Sequence, residues 1–388
     1  MLEDGHAFRD AAQAVKTEWE RGVGVVVVVS ALKGMTDKLL RVAEGISQET
    51  PRDMIDHIIG LGEEQSTRLM ASALKGLGVD AVEITPDSPS WPIVTDEAFG
   101  DAEPIFEECK NNVELGLRPL VKRGKVPVVC GFTGRSITGN ITTLGRGGSD
   151  TTAVILARCL GADEVILIKD VEGVYSADPK KVRSPRPIER LSAWEASLMT
   201  SAGAGVLHDK VLKYKPRGLP IRLVSRNSPL DGDGTMIDGT IPEHSIEPHE
   251  RPVFLLSLIG DVVSQPSRLT QVTEAVKATG GKILGLSGNG ESTLLVVEGD
   301  PDKTIREAHR LVEVGEAKAI TCSENLAYLT VKGRGLHATE VVSKAKKALR
   351  KVNVKVHWVQ VGHSWFSLLV AHDELEETRE ILESMLKV

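Results

Sequence analysis

A doubly wound α/β domain with a mainly parallel sheet, followed by two small α+β sandwiches of ferredoxin-like type, is the fold class this sequence predicts. Three observations predict it. Residues 23–30 form a nearly continuous β-branched run, as expected of a strand covered on both faces of a parallel sheet. Strand and helix patterns alternate from residue 6 to residue 169, the signature of stacked βα units. Beyond residue 252 the order strand-helix-strand-strand-helix-strand appears and then begins again, an internal repeat.

Taken in order, Phe8, Ala11, Ala12, Val15 and Trp19 recur at helical spacing, which predicts a helix over 6–20. A strand follows at 23–30, then helices at 37–46 and 63–77. The next elements are a short strand at 80–84, a long helix at 103–121 and a strand at 126–130. A glycine-rich loop leads to a helix from about residue 150 and a strand at 164–169. After a short strand at 221–225, residues 227–252 are rich in Pro, Gly, Asp and Glu and read as a linker. The first repeat places strands at 253–259, 282–287, 292–298 and 317–322 and helices at 267–278 and 302–314. The second places strands at 326–332, 355–361 and 364–371 and helices at 339–351 and 375–386, and ends without its last strand. The domain boundaries implied are 1–245, 252–323 and 324–388.

Composition narrows the functional class. The chain has 388 residues, 41% hydrophobic and 26% charged, with a formal net charge of −7. An acidic balance disfavours nucleic acid or an anionic membrane as the main partner. The four cysteines are scattered, without a C-x-x-C pair, which argues against a disulfide framework or a zinc site. The longest apolar run, at 23–31, is too short to cross a bilayer. A cytoplasmic setting is the expectation.

Three loops follow predicted strands and so belong at the carboxyl ends of a parallel sheet, where such folds bind ligands. In residues 143–152, Thr-Leu-Gly-Arg-Gly-Gly-Ser-Asp-Thr-Thr, three glycines bracket Arg146, and Ser149 and Asp150 open a helix. Glycine permits close backbone approach, a helix N-terminus favours an anion, and Arg146 can grip a carboxylate through paired hydrogen bonds. The alternative is a glycine-rich turn with Ser149 or Asp150 as cap. Residues 30–37 supply the hydroxyls of Ser30 and Thr36 around Gly34, although Thr36 could equally be a helix cap. Gly62-Glu63-Glu64 reads as the start of a helix, whose dipole would stabilise a carboxylate. Residues 169–181 combine Lys169, Asp170, Tyr175, Asp178 and Lys180 in one polar loop, where a tyrosine face can stack on a purine and lysines can meet phosphates. His208 and His363 have no partners at metal spacing and read as packing or surface residues.

Together, SALKGMTD (30–37), LGEEQSTRLM (61–70), TTLGRGGSDTTA (142–153), KDVEGVYSADP (169–179) and GAGVLH (203–208), in this order, resemble the aspartate kinases of the amino-acid kinase superfamily. The C-terminal repeat resembles the tandem ACT regulatory domains of those enzymes. The resemblance implies ATP-dependent phosphorylation of the L-aspartate β-carboxylate to 4-phospho-L-aspartate, the entry to lysine, threonine and methionine synthesis. It implies that Arg146 holds the substrate α-carboxylate, that Glu63 and Asp150 address the substrate and its ammonium, and that Ser30 and Thr36 line the same pocket. Asp150, Ser30 and Thr36 are the catalytic candidates. Lys169, Asp170, Tyr175, Asp178 and Lys180 would contact the nucleotide, with Arg226 or Asn227 near the purine. Mg²⁺ bridging ATP phosphates is expected, without a dedicated protein cage.

The chain departs from the family in two places. Aspartate kinases carry a strand with K-[FY]-G-G-[TS], whose lysine stabilises the phosphates, and no K-x-G-G occurs in these 388 residues. A start set too far downstream, a truncation and a protein without that lysine are the three explanations, and as written the chain should be severely impaired in catalysis. The second departure concerns the effector turn of ACT modules: the second copy has a glycine turn at 333–337, whereas 260–266 in the first fits poorly. Feedback by lysine or threonine is therefore an expectation for the repeat, and paired modules imply at least a homodimer. The competing readings are an amino-acid-sensing subunit without catalysis, and another superfamily kinase such as a glutamate 5-kinase or a uridylate kinase.

Overall fold

The computed structural model describes residues 4–47, 49–171, 173–226, 228–334, 336 and 338–386. The chain divides into two compact units, Met1–Ile241 and Pro242–Val388. Among the described residues no helix is long and apolar enough to cross a membrane.

The first unit runs α1 (Gly5–Glu20), β1 (Val27–Val29), α2 (Met35–Ile46), α3 (Arg52–Gly76), β2 (Ala81–Ile84), β3 (Val94–Thr95), α4 (Phe106–Asn112), a π turn (Val113–Leu117), α5 (Arg118–Lys122) and β4 (Val126–Cys130). It continues with β5 (Thr133–Ser136), β6 (Ile141–Thr143), α6 (Gly148–Leu160), β7 (Val165–Lys169), β8 (Val174–Tyr175), β9 (Pro187–Ile188), β10 (Arg190–Ser192), α7 (Ala193–Ser201), α8 (Asp209–Tyr214), β11 (Ile221–Ser225) and β12 (Thr235–Asp238). The apolar stripe of α1 buries Phe8, Ala12 and Val15, and Asp4 caps its start by accepting from the His6 and Ala7 N–H groups. The long helix expected over 103–121 is broken: a π turn precedes Pro119, which cannot donate into a helical ladder.

Two sheets, one parallel and one mixed, form the frame. One has the order β1-β4-β2, parallel throughout. The other, β10-β12-β11-β7, is parallel at β11/β7 and β10/β12 and antiparallel at β11/β12. Helix α6 packs against both β1 and β7, so the two sheets share a helical cover. Residues 23–26 of the apolar run do not join a ladder; only Val27, Val28 and Val29 pair, with Val128, Val129 and Cys130.

Helix α3 corrects the expectation of a helix over 63–77. It begins at Arg52 and runs 25 residues. Gly60 and Gly62 look like helix breakers but are packing positions: a Cβ on Gly60 would lie 2.9 Å from Thr133 Cγ2, and one on Gly62 would lie 3.0 Å from Ala31 Cβ. Glu63 therefore sits in mid-helix, and the helix-start dipole assigned to it does not apply.

The second unit comprises β13 (His244–Pro248), β14 (Val253–Ile259), α9 (Pro266–Ala278), β15 (Lys282–Gly288), β16 (Ser292–Glu298), α10 (Pro301–Glu313), β17 (Ala319–Gly333), α11 (Ala338–Lys351), β18 (Trp358–Val361), β19 (Trp365–Ala371) and α12 (Leu375–Leu386). The two strands expected at 317–322 and 326–332 are one 15-residue strand, β17. Its first half pairs with β14 and its second half with β19, with a register shift near Val253–Leu255 and left-handed φ of 53° at Asn325. The two copies of the repeat thus join inside a single strand. The stretch read as a linker contains β12 and β13, and β13 pairs antiparallel with residues 329–333 of β17. The second copy consequently has a fourth strand after all, supplied from before the first copy.

Separate apolar clusters lie under the helices of each copy, around Val272, Val276 and Leu311 in one and Val342, Leu349 and Leu382 in the other. A further cluster gathers Leu255, Val296, Leu326, Trp358 and Leu369. Trp358 on β18 donates its indole N–H to Ser287 Oγ on β15 at 2.7 Å, so the two outermost strands of the sheet meet.

Candidate active site

One crevice of about 2070 Å³ lies in the first unit. It is lined along consecutive residues 23–30, at and before β1, and 164–171, along β7. Among the described residues β1 pairs only with β4 and β7 only with β11, so each presents an unpaired edge there.

The carboxyl ends of the strands and the start of α6 converge at the mouth. The Gly131 N–H donates to Val29 O at 3.0 Å. A Cβ on Gly131 would sit 2.6 Å from Val29 O and 2.8 Å from Ser149 Cβ, so only glycine admits this approach. Residues 133–143, expected to be loop, form the β5–β6 hairpin. The glycine loop then turns through Gly145 and Gly147, both at φ of 72°. Their spaces are filled from outside: added Cβ atoms would meet Asp101 Oδ1 at 2.3 Å and His208 Cβ at 2.5 Å. Helix α6 opens with Gly147 as its N-cap and no side-chain cap, which corrects the alternative in which Ser149 or Asp150 caps it.

Ser30, Thr36, Glu63, Arg146 and Asp150 all line this crevice. Lys169, Asp170, Tyr175, Asp178 and Arg226 line it as well. Lys180 is exposed and is not among the lining residues. Glu172, Asn227, Gly335 and His337 lie outside the described residues. The loop after β7 is organised by the β8–β9 pairing, by Gly173 against Thr235, and by Asp178, which accepts from the Lys180 N–H at 2.9 Å.

The polar side chains differ sharply in setting. Glu63 is 3% exposed, and its Oε2 has no hydrogen-bond partner among the described residues. Desolvation pushes its carboxyl up to about 7, opposed by the Ala31 N–H. Arg146 is exposed and makes no hydrogen bond or ion pair with the described residues. Asp150 and Lys169 form an ion pair at 2.5 Å, with side chains 24% and 31% exposed. The arrangement offers a buried carboxylate suited to an ammonium, an arginine fork suited to a carboxylate, and a lysine beside a helix start.

Asp56 was not singled out from the sequence. It is 2% exposed, lines the same crevice, and accepts backbone N–H groups from Gly100 and Thr143. Burial raises its carboxyl above the usual range, and the two N–H donors oppose this. Asp56 and Glu63 are seven residues apart and share a helix face, a signal visible only once the helix is extended back through Gly60 and Gly62. Lys210, 7% exposed, was likewise missed; it pairs with Asp101 at 2.7 Å and donates to Ala102 O at 2.9 Å.

Comparison with known proteins places this geometry. Residues 1–225 match the amino acid kinase family. The aspartate kinase Ask_LysC of Stutzerimonas stutzeri is 31% identical over 95% of this chain and 90% of its own, and the aspartokinase of Pseudomonas aeruginosa is 32% identical over 95% and 91%. Among solved structures, aspartate kinase from Synechocystis superposes with a TM-score of 0.78 at 23% identity, covering 100% of this chain and 68% of that one. Aspartokinase III of E. coli, solved with aspartate and ADP in its R-state, gives 0.55 at 24% identity over 99% and 97%. Its T-state complex with lysine and aspartate gives 0.52 at 23% over 97% and 96%. The described chain, with its parallel sheets, glycine–arginine loop and tandem repeat, belongs to the amino acid kinase family, within its aspartokinase branch.

Proposed function

We infer that the protein transfers the γ-phosphoryl group of ATP to the β-carboxylate of L-aspartate, giving 4-phospho-L-aspartate and ADP, the opening step toward lysine, threonine and methionine. The observation that carries this reading is the pairing in one crevice of Glu63, buried with an oxygen unbonded among the described residues, and Arg146, exposed with a guanidinium unpaired among them. An α-amino acid presents the complementary pair, an ammonium and a carboxylate. Binding both fixes the side-chain carboxylate as the nucleophile: one of its oxygens bonds to the γ-phosphorus as the bond to the β–γ bridging oxygen breaks. Such transfers need positioning and charge neutralisation more than covalent chemistry.

In this reading Ser30 and Thr36 line the substrate end. Asp150 stands between that end and Lys169, which meets the phosphates together with the loop of Asp170, Tyr175 and Asp178. Arg226 faces the purine. No group of three or more acidic, histidine or cysteine side chains among the described residues could hold a metal. Mg²⁺ is proposed as an ion carried by the ATP phosphates, where it would neutralise their charge. The repeat unit is the proposed seat of an amino-acid effector, lysine or threonine, and a homodimer or higher oligomer is the proposed assembly.

The test is ADP release measured separately with aspartate, glutamate and UMP. Aspartate-dependent release, slowed by the lack of a K-x-G-G lysine in these 388 residues, is the expected result; release driven by glutamate or UMP but not by aspartate overturns the reading.

A further inference from the structure

The glycine–arginine loop is exposed at Arg146, yet its two ends are fixed. Thr143, the last residue of β6, is 0% exposed, and both of its backbone polar groups are committed. Its N–H donates to Asp56 Oδ2 at 2.8 Å, and its carbonyl accepts the Ala102 N–H at 2.8 Å. The same Asp56 oxygen accepts the Gly100 N–H at 2.9 Å. One carboxylate oxygen on α3 therefore ties together the end of β6 and the loop before α4, which are otherwise far apart in sequence. That second loop continues into Asp101, which stands against Gly145 and is held by the largely buried Lys210. Without the carboxylate, the buried Thr143 N–H would lack a partner, a costly state in a dry site.

Helix α3 thus presents two carboxyl groups on one face with different tasks. Glu63 has an oxygen left for a ligand; the bonded oxygen of Asp56 is spent on backbone. We propose that Asp56 is a positioning residue, which holds the arginine loop in register with Glu63 so that the two can grip one amino acid at both of its charged ends. It touches neither substrate nor nucleotide and acts through the Thr143 and Gly100 amides. The proposal rests on the substrate reading above and deepens it, because it assigns part of the amino-acid specificity to a crevice residue that acts through backbone amides.

The test measures binding rather than turnover. Dissociation constants for L-aspartate and for a non-hydrolysable ATP analogue are determined by calorimetry for the unaltered chain, Asp56→Asn and Asp56→Leu, alongside thermal melting. Asn keeps an oxygen that can accept both N–H groups without the charge; Leu removes it. Asp56→Asn is expected to weaken aspartate about 3- to 10-fold, since charged acceptors are roughly twice as strong as neutral ones, and to leave the nucleotide within twofold. Asp56→Leu should weaken aspartate further. Unchanged aspartate affinity in Asp56→Asn, or parallel loss of aspartate and nucleotide, overturns the proposal, and this variant decides the matter if Asp56→Leu fails to fold. If the unaltered chain binds no aspartate, the substrate reading fails instead, an outcome separate from both.

Discussion

Lys169 Nζ lies 2.5 Å from Asp150 Oδ2, joining the end of β7 to the first turn of α6 across the crevice. In the proposed reaction this cation faces the phosphates, and Asp150 holds it there. Lys169→Met is expected to lower kcat about 10²-fold, the scale of losing a charge-stabilising contributor, with a smaller change in the aspartate KM. Turnover within threefold of the unaltered chain would remove Lys169 from the phosphate site.

Arg146→Ala should raise the aspartate KM by about 10- to 100-fold, the effect of losing a hydrogen bond to a charged group, with the ATP KM nearly unchanged. Arg146→Lys should recover only part of the loss, since an ammonium does not reproduce a fork. Equal effects on both substrates would contradict the assignment to the α-carboxylate.

The carboxyl of Glu63 is raised from 4.5 to about 7 by burial. Between those values the folded state binds the proton and the unfolded state releases it, so folding stability falls as pH rises from about 4.5 to 7. Glu63→Gln removes this term. Denaturant melts at pH 5 and pH 8 should show the variant gaining on the unaltered chain by about 3 kcal/mol at the higher pH, an order-of-magnitude figure from the shift. The ligand effect runs the opposite way. An ammonium prefers ionised Glu63, so aspartate affinity should rise with pH through about 7, and should lose that rise in Glu63→Gln. A flat affinity profile in the unaltered chain would place the ammonium elsewhere.

The same replacement in two neighbouring helices should have opposite signs. Gly45 in α2 has no atom within 4 Å of an added Cβ, whereas at Gly60 in α3 the nearest would be 2.9 Å away. Gly45→Ala is expected to stabilise by about 0.5 kcal/mol through helix propensity. Gly60→Ala should destabilise by about 1–3 kcal/mol through overpacking against Thr133. Denaturant midpoints of the two variants give the comparison directly.

These cases also show what the sequence makes legible. Strand β14 and helix α12 can be placed to the residue, because their apolar period and flanking turn residues are local. The first eleven residues of α3 cannot, since Gly60 and Gly62 are set by atoms on Thr133 and Ala31 that no local pattern reveals. Strand β17 reads as two because Ser323-Glu324-Asn325 is polar and turn-like; pairing with β14 on one half and β13 and β19 on the other keeps it extended. Strand β13, His-Ser-Ile-Glu-Pro, carries almost no strand signal and exists through its distant partner. At the crevice, Arg146, Asp150 and Lys169 stand in recognisable motifs. Asp56 is silent in sequence because its partners, the amides of Gly100 and Thr143, lie 44 and 87 residues away in the chain.

The pairing of β13 with the far end of β17 also constrains how the chain is made. Residues 244–248 leave the ribosome well before residues 329–333, so the second copy stays incomplete until the first has been synthesised. Collapse of the first copy brings the ends of that interval together and shortens the closure the late pairing must achieve, and closure of long loops is what slows such topologies. This topology predicts that the first copy folds before the second, an order that pulsed hydrogen exchange during refolding would show as earlier protection of β14 and β16 than of β13 and β19.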